Sequence, residues 1–326
     1  VWRCGQELMA RRWRSLVLAG GVVLLAVVGL QGLGARQLAV QPLEQQQQQQ
    51  ERVLVLQPAI PTREKFSWPQ QQRLRQRLEA ALAEAAARGA DLVLLPEGAL
   101  GLDPSLEAPA PVELISGGFR WQERRGEPEQ RSALLRFPAG ATEPADALDK
   151  YRVVPLGEWV PFARLARWSG LSAVGGVEPG APSRLLPRPG GSIAAAICYE
   201  LSDGEALAAA SRSGGLWLLA SANLDPYPLL LQRQFTALAQ LRAIETGRWL
   251  VSAANTGPSL LVSPRGVVAA RLPMGRAATG VFTVPQLSGL TPYARWGEMP
   301  LLMLTLAAGA GVLLVKRRQP RRCPGP

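Results

Sequence analysis

Short apolar runs alternate with stretches of helical period along residues 52–253, and this alternation restricts the fold more than any other feature. Residues 52–57, 91–95, 192–197, 216–221 and 249–253 are too short for helices and too apolar for loops, so they predict buried strands. Residues 69–88 carry Leu74, Leu78, Leu82 and Ala85 at helical spacing, with Pro69 to open a helix and Gly89 to close it. Residues 203–212 follow a capping Asp203, and residues 229–246 run as one helix to Gly247. After Asn255 the period shortens. Pro264-Arg265-Gly266 reads as a turn between strands at 260–263 and 267–271, and a last strand falls at 281–284. Helices alternating with strands, followed by hairpins, predict a layered α/β domain rather than a bundle or a pure β-barrel.

The net charge of +11 over 326 residues suggests a nucleic-acid partner until its distribution is read. Arg3, Arg11, Arg12 and Arg14 lie before residue 15 against Glu7, and Lys316, Arg317, Arg318, Arg321 and Arg322 lie after residue 315. The body between is nearly neutral and has no basic stripe with interleaved aromatics, so nucleic-acid binding is not expected.

Residues 15–35 are uncharged, rich in Leu, Val, Ala and Gly, and long enough for a bilayer of about 30 Å. Residues 299–315 form a second uncharged stretch at the short limit, with Tyr293 and Trp296 where an interfacial belt would lie. With both basic flanks cytoplasmic, the body would lie on the opposite face of the membrane. The alternatives are a cleaved signal peptide ending near Leu33-Gly34-Ala35 and, for the second stretch, a buried core helix. The expected organisation is a basic cytoplasmic tail at 1–14, a transmembrane helix at 15–35, a Gln-rich linker at 36–51 and a globular domain at 52–290. A transmembrane helix at 299–315 and a basic tail at 316–326 follow.

The chain has no histidine, which excludes Ser-His-Asp and Cys-His catalysis and most zinc sites together. Of its three cysteines, Cys4 and Cys323 lie in the tails and Cys198 stands alone in the body, so no structural disulfide is expected. A cysteine nucleophile without histidine needs a carboxylate as base and a cation for its oxyanion. Cys198 follows the apolar run 193–197 at the end of a strand, where it is either a small core residue or a nucleophile. Glu97 follows the run 92–95 and Pro96, as a solvated loop residue or as a placed base. Lys150 and Glu158 sit in an aromatic and proline-rich loop, 150–162, as surface charges or as a partly buried pair.

Glu97, Lys150 and Cys198 follow one another at spacings of 53 and 48 residues. With Leu95-Pro96-Glu97, Ile197-Cys198-Tyr199-Glu200, residues 242–248 and Asn255-Thr256-Gly257, the chain resembles the nitrilase (carbon-nitrogen hydrolase) superfamily over about residues 52–285. Within it, the pattern is similar to the apolipoprotein N-acyltransferase family. The resemblance implies an α/β fold, a nitrilase-like α-β-β-α sandwich, flanked here by one transmembrane helix at each end. It implies Cys198 as nucleophile, Glu97 as general base and Lys150, with a backbone N–H after the cysteine, as support for the oxyanion. Glu158, Tyr199, Glu200, Trp68 and Phe66 match further substrate-binding or supporting positions, and neither a metal nor a cofactor is implied. The ammonium of Lys150 is expected to favour the thiolate of Cys198.

The implied reaction moves a fatty acyl chain from a membrane phospholipid, through a thioester, to the N-terminal amine of a diacylated lipoprotein on the periplasmic face of a bacterial inner membrane. The alternatives are a membrane-tethered amidase, in which water takes the acyl group, and a non-catalytic membrane protein. Departures from the family are visible. Gln57-Pro58-Ala59-Ile60-Pro61 stands for Gln-Gly-Asn-Ile-Pro, Phe66 stands for a tryptophan with Trp68 two residues on, and residues 222–227 lack an Asn-Asp-aromatic order. The family has several membrane helices before this domain, so one apolar segment and a start at Val1 read as an incomplete or reduced form.

Overall fold

The computed structural model describes residues 49–64, 67–124, 126–154, 158, 176–225 and 227–318, with residues 13, 17, 20, 21 and 23–36 of the preceding segment. Two compact units divide at Gln48, and in the first the residues 23–36 are helical and exposed.

The second unit holds the strands β1 (Gln50–Gln57), β2 (Leu92–Leu94), β3 (Glu113–Arg124), β4 (Glu127–Phe137), β5 (Asp146–Asp149) and β6 (Leu185–Leu186). The strands β7 (Ile193–Ile197), β8 (Trp217–Ala222), β9 (Leu250–Ala254), β10 (Leu260–Val262), β11 (Val268–Arg271) and β12 (Ala278–Pro285) follow. They form two six-stranded sheets, ordered β12-β1-β2-β3-β4-β5 and β11-β10-β9-β8-β7-β6. Its helices are α1 (Trp68–Ala87), α2 (Gly204–Arg212), α3 (Leu229–Thr246), α4 (Pro292–Trp296) and α5 (Met299–Arg318).

The period of two explains the layering. Val53 and Val55 of β1 face the second sheet and pack with Ile193, Ala195, Ile197, Leu219 and Val251, while Leu54 and Leu56 face outward onto Leu78, Ala81, Leu82 and Ala85 of α1. In β7 the outward residues are Ala194 and Ala196, small enough for Leu207 and Ala210 of α2 and Ala239 and Ala243 of α3 to pack closely. Each sheet is therefore buried on both faces, which is why its central strands read as continuous apolar runs. The layers run helix, sheet, sheet, helix, as expected.

Local signals act as anticipated. Asp203 accepts the backbone N–H of Ala206 at the start of α2, and Gly247 ends α3 in the left-handed conformation. At the other end of β1, Gln50 and Glu51 belong to the strand, although composition assigns them to the linker. The Glu51 carboxylate is buried because it accepts from Trp217 Nε1 at 2.9 Å and from Arg188, whose guanidinium also binds Glu113. The β3–β4 hairpin and β5 fill a stretch where the sequence predicted no strand.

Among the described residues, no helix is long and apolar enough to cross a membrane. The apolar segment at 15–35 lies partly outside the described residues, and the one at 299–315 falls within α5. The described apolar side chains of α5, among them Leu301, Leu302, Leu304 and Leu306, are exposed.

Candidate active site

Three strand ends meet at one point between the sheets. Glu97 follows β2, Lys150 follows β5, and Cys198 follows β7 of the other sheet. Lys150 is fully buried, and its Nζ donates to Glu97 Oε1 at 2.8 Å and to Glu158 Oε1 at 2.6 Å. Glu158 is held by the N–H of Val154 at 2.9 Å, and Glu97 Oε2 accepts the N–H of Asn223 at 3.3 Å. The Cys198 thiol lies close enough to the Glu97 carboxylate for that charge to act on it directly. A buried ammonium between two carboxylates satisfies the requirement that interior charges be paired.

Cys198 has φ +52°, a left-handed conformation that costs a non-glycine residue about 1–3 kcal/mol. It opens the tight turn Cys198–Ser202, which turns the chain sharply from β7 towards α2. Glu200 over-determines this turn from below. Its Oε2 accepts the N–H of Ile197 at 2.9 Å and Arg184 NH1 at 2.8 Å, and its Oε1 accepts the N–H groups of Tyr151 at 2.6 Å and Arg152 at 3.2 Å.

Glu97 has a comparable support in Gly117 of β3. A Cβ there would meet the Glu97 Cα and stand 2.5 Å from Gly98 N and 2.6 Å from Pro96 O, all backbone. Only glycine lets the Glu97 segment lie so close to the strand.

Burial pulls the Lys150 ammonium down, but Glu97, Glu158 and the Cys198 sulfur outweigh it, so the lysine stays charged well into alkaline conditions. Burial, then the Glu97 charge, pushes the Cys198 thiol far above its ordinary value, and the pull of Lys150 is insufficient to reverse this. Lys150 acts on the sulfur in the expected direction, towards thiolate, and burial with Glu97 outweighs it. Lys150 supplies one positive charge already shared by two carboxylates, so the resting sulfur is a thiol with Glu97 beside it.

The structure thus joins Glu97, Lys150, Cys198 and Glu158 in one cluster, with Glu200 buried beneath it. Tyr199 lies on the nucleophile's turn and is 51% exposed; Trp68 opens α1 and is also exposed. Phe66, and residues 155–157 and 159–162 of the Lys150 loop, lie outside the described residues. Among the described residues no cluster of His, Cys, Asp or Glu could hold a metal ion.

Several contributors escaped the sequence. Tyr227 lies close enough for its phenol to be raised by burial and then by the charges of Cys198 and Glu97. Tyr151 donates to Asp203, and burial together with that bond holds its phenol at about 12. Asn255 Nδ2 bonds Asn223 Oδ1 at 3.1 Å and Ile60 O at 2.6 Å, tying the segment after β1 to the one that holds Glu97. Asn255 lay inside a quoted motif, but no local pattern marks Arg184, Asn223 or Gly117.

Residues 176–293 match the carbon-nitrogen hydrolase family, a span that includes Cys198. The fold is similar to a nitrilase-superfamily protein of Saccharomyces cerevisiae, at TM-score 0.54 and 17% identity over 73% of this chain and 90% of that one. It is equally similar to an amidase from Nesterenkonia, at TM-score 0.53 and 18% identity over 78% of this chain and 97% of that one. An apolipoprotein N-acyltransferase of Prochlorococcus marinus is 52% identical over 266 residues, covering 82% of this chain and 52% of the relative. Another apolipoprotein N-acyltransferase, from Parasynechococcus marenigrum, is 50% identical over 240 residues, 73% of this chain and 51% of the relative. The chain spans about half the length of the curated relatives it matches. Glu97 and Lys150 precede the span matched to the family and reach Cys198 through the contacts described above.

Proposed function

We propose that this chain carries the catalytic domain of a lipoprotein N-acyltransferase that moves a fatty acyl chain from a membrane phospholipid, through a Cys198 thioester, to the N-terminal amine of a diacylglyceryl-cysteine lipoprotein. The observation that carries the reading is the contact cluster of Cys198, Glu97 and Lys150 in a chain 52% identical to an apolipoprotein N-acyltransferase.

As Sγ attacks the donor's ester carbonyl, its proton passes to Glu97 and the carbonyl electrons move onto oxygen. Neutralising Glu97 removes one of the two anions that engage Lys150, so the ammonium becomes available to the oxyanion as that charge develops. Collapse expels the lysophospholipid alkoxide, which takes the proton from Glu97 and leaves the acyl thioester. The acceptor amine then attacks the thioester carbonyl, Glu97 receives its proton, and the thiol is restored when the amide forms. The N–H groups at the nucleophile's turn are the second oxyanion donor in this scheme.

The apolar segments at 15–35 and 299–315 and their basic flanks support a membrane setting with the catalytic domain on the periplasmic face of an inner membrane. The chain, in membranes, is incubated with phosphatidylethanolamine bearing a labelled acyl chain and a diacylated lipopeptide. Label in an amide of the lipopeptide supports the proposal. Free labelled fatty acid without amide would make the protein a hydrolase, and no label in either product would remove the enzymatic reading.

A further inference from the structure

Arg184 is a fully buried cation outside the cluster of reacting groups, and its partners are unusual. Its NH1 donates to Glu200 Oε2 at 2.8 Å, its NH2 donates to the carbonyl of Asp149 at 2.7 Å and of Ala181 at 2.6 Å, and its guanidinium lies 4.6 Å from the Tyr151 ring centre. Asp149 and Tyr151 flank Lys150 on either side. Glu200 is two residues beyond Cys198 and also accepts the N–H groups of Tyr151 and of Ile197, the residue before the nucleophile.

We infer that Arg184 is a positioning residue for the reaction, which fixes the separation of the Lys150 ammonium from the Cys198 sulfur by gripping both of their backbone segments through one ionised Glu200. This rests on the acyl-transfer reading above.

Lys150 is delivered by one sheet and Cys198 by the other, so neither sheet's own hydrogen bonds set the distance between them. Glu200 can bridge them only as an anion, since its two oxygens accept four donors and a protonated carboxyl would have to donate one of its positions. Among the described residues, the charged groups facing this carboxylate and guanidinium are Arg184 itself and the Tyr151–Asp203–Arg152 group. Burial raises the Glu200 carboxyl, and Arg184 is the largest opposing influence. Without the guanidinium, the Glu200 carboxyl rises further, and a protonated Glu200 cannot accept all four donors, so its grip on the two strand ends loosens. A displacement of about 1 Å between reacting groups can cost about a hundredfold in rate.

The test uses Arg184→Met, Glu200→Gln and the double variant in the full chain, with acylation of Cys198 followed from pH 5 to pH 9. Arg184→Met is expected to lose at least tenfold at neutral pH, with the acid limb of its profile moved upward and kcat affected more than KM. The double variant, which removes the unpaired buried carboxylate, is expected to be no slower than the slower single variant and to lose the shifted limb. Should Arg184→Met alone not fold, the double variant and Glu200→Gln still decide through their pH profiles. Additive losses, or a uniform loss at every pH, would reduce Arg184 to structural support and overturn the inference. Iodoacetamide labelling of Cys198, read by peptide mass spectrometry, is expected to repeat the pattern without any acyl donor. Intact labelling behaviour with no acylation in the unsubstituted chain would therefore count against acyl transfer and leave the Arg184 inference standing.

Discussion

Gly117→Ala should separate catalysis from folding in this protein. The added Cβ would stand 2.5 Å from Gly98 N and 2.6 Å from Pro96 O, whereas ordinary contacts begin at 3.4 Å. The neighbours are backbone, so no side chain can rotate away, and the Glu97 segment must retreat by about 1 Å. A shift of that size opens the 2.8 Å Glu97–Lys150 bond and withdraws the carboxylate from the Cys198 thiol. Overpacking of this kind costs about 1–3 kcal/mol of stability, but a base displaced by 1 Å costs about a hundredfold in rate. Gly118→Ala is the control, because its Cβ first meets the end of the Leu135 side chain at 2.8 Å and does not touch Glu97. Thermal melts and single-turnover acylation of Cys198 would be measured for both. Similar melting temperatures, with acylation slowed only in Gly117→Ala, are expected; a Gly117→Ala variant acylating within threefold of the unsubstituted chain would refute the reasoning.

Three further outcomes follow from the site. The left-handed φ of Cys198 reverses the usual order of alanine and glycine, so Cys198→Gly should melt above Cys198→Ala, the difference corresponding to about 1 kcal/mol by denaturant titration. Because burial and Glu97 raise the thiol, its alkylation by iodoacetamide should stay slow at neutral pH and climb only on the alkaline side of the ordinary cysteine value of about 8.5; a reactivity plateau at pH 6–7 would contradict this. Lys150→Met leaves Glu97 and Glu158 facing each other without their cation, and should lower stability at pH 7 by about 3–5 kcal/mol by denaturant titration, a loss that shrinks as the pH is lowered and the carboxylates protonate.

The parts of this architecture that the sequence made legible are those where one local rule dominates. β7 is a five-residue apolar run and α3 ends at the one residue type that accepts a left-handed cap cheaply, so both were placed within a residue or two. The β3–β4 hairpin was missed because its two demands conflict with strand composition. Gly117 is there to admit Glu97, and the far half of the hairpin is exposed and carries charges and Pro128, which dilute the apolar signal. The order of Glu97, Lys150 and Cys198 was visible, but their electrostatics depend on a ratio that spacing cannot supply. One buried ammonium between two carboxylates pulls the sulfur towards thiolate as expected, but burial and Glu97 outweigh that pull. Arg184 was illegible for a related reason, since its partners lie 16 and 35 residues away and come together only when the two sheets stack.

The central claim is that Cys198 carries the acyl group and Glu97 takes its proton. It is tested most directly by intact and peptide mass spectrometry of the full chain after incubation with phosphatidylethanolamine vesicles, beside Cys198→Ala and Glu97→Ala. The account predicts an acyl adduct on the Cys198 peptide that hydroxylamine removes and that neither variant forms. An unmodified Cys198 peptide, or an adduct that persists undiminished in Glu97→Ala, would contradict it.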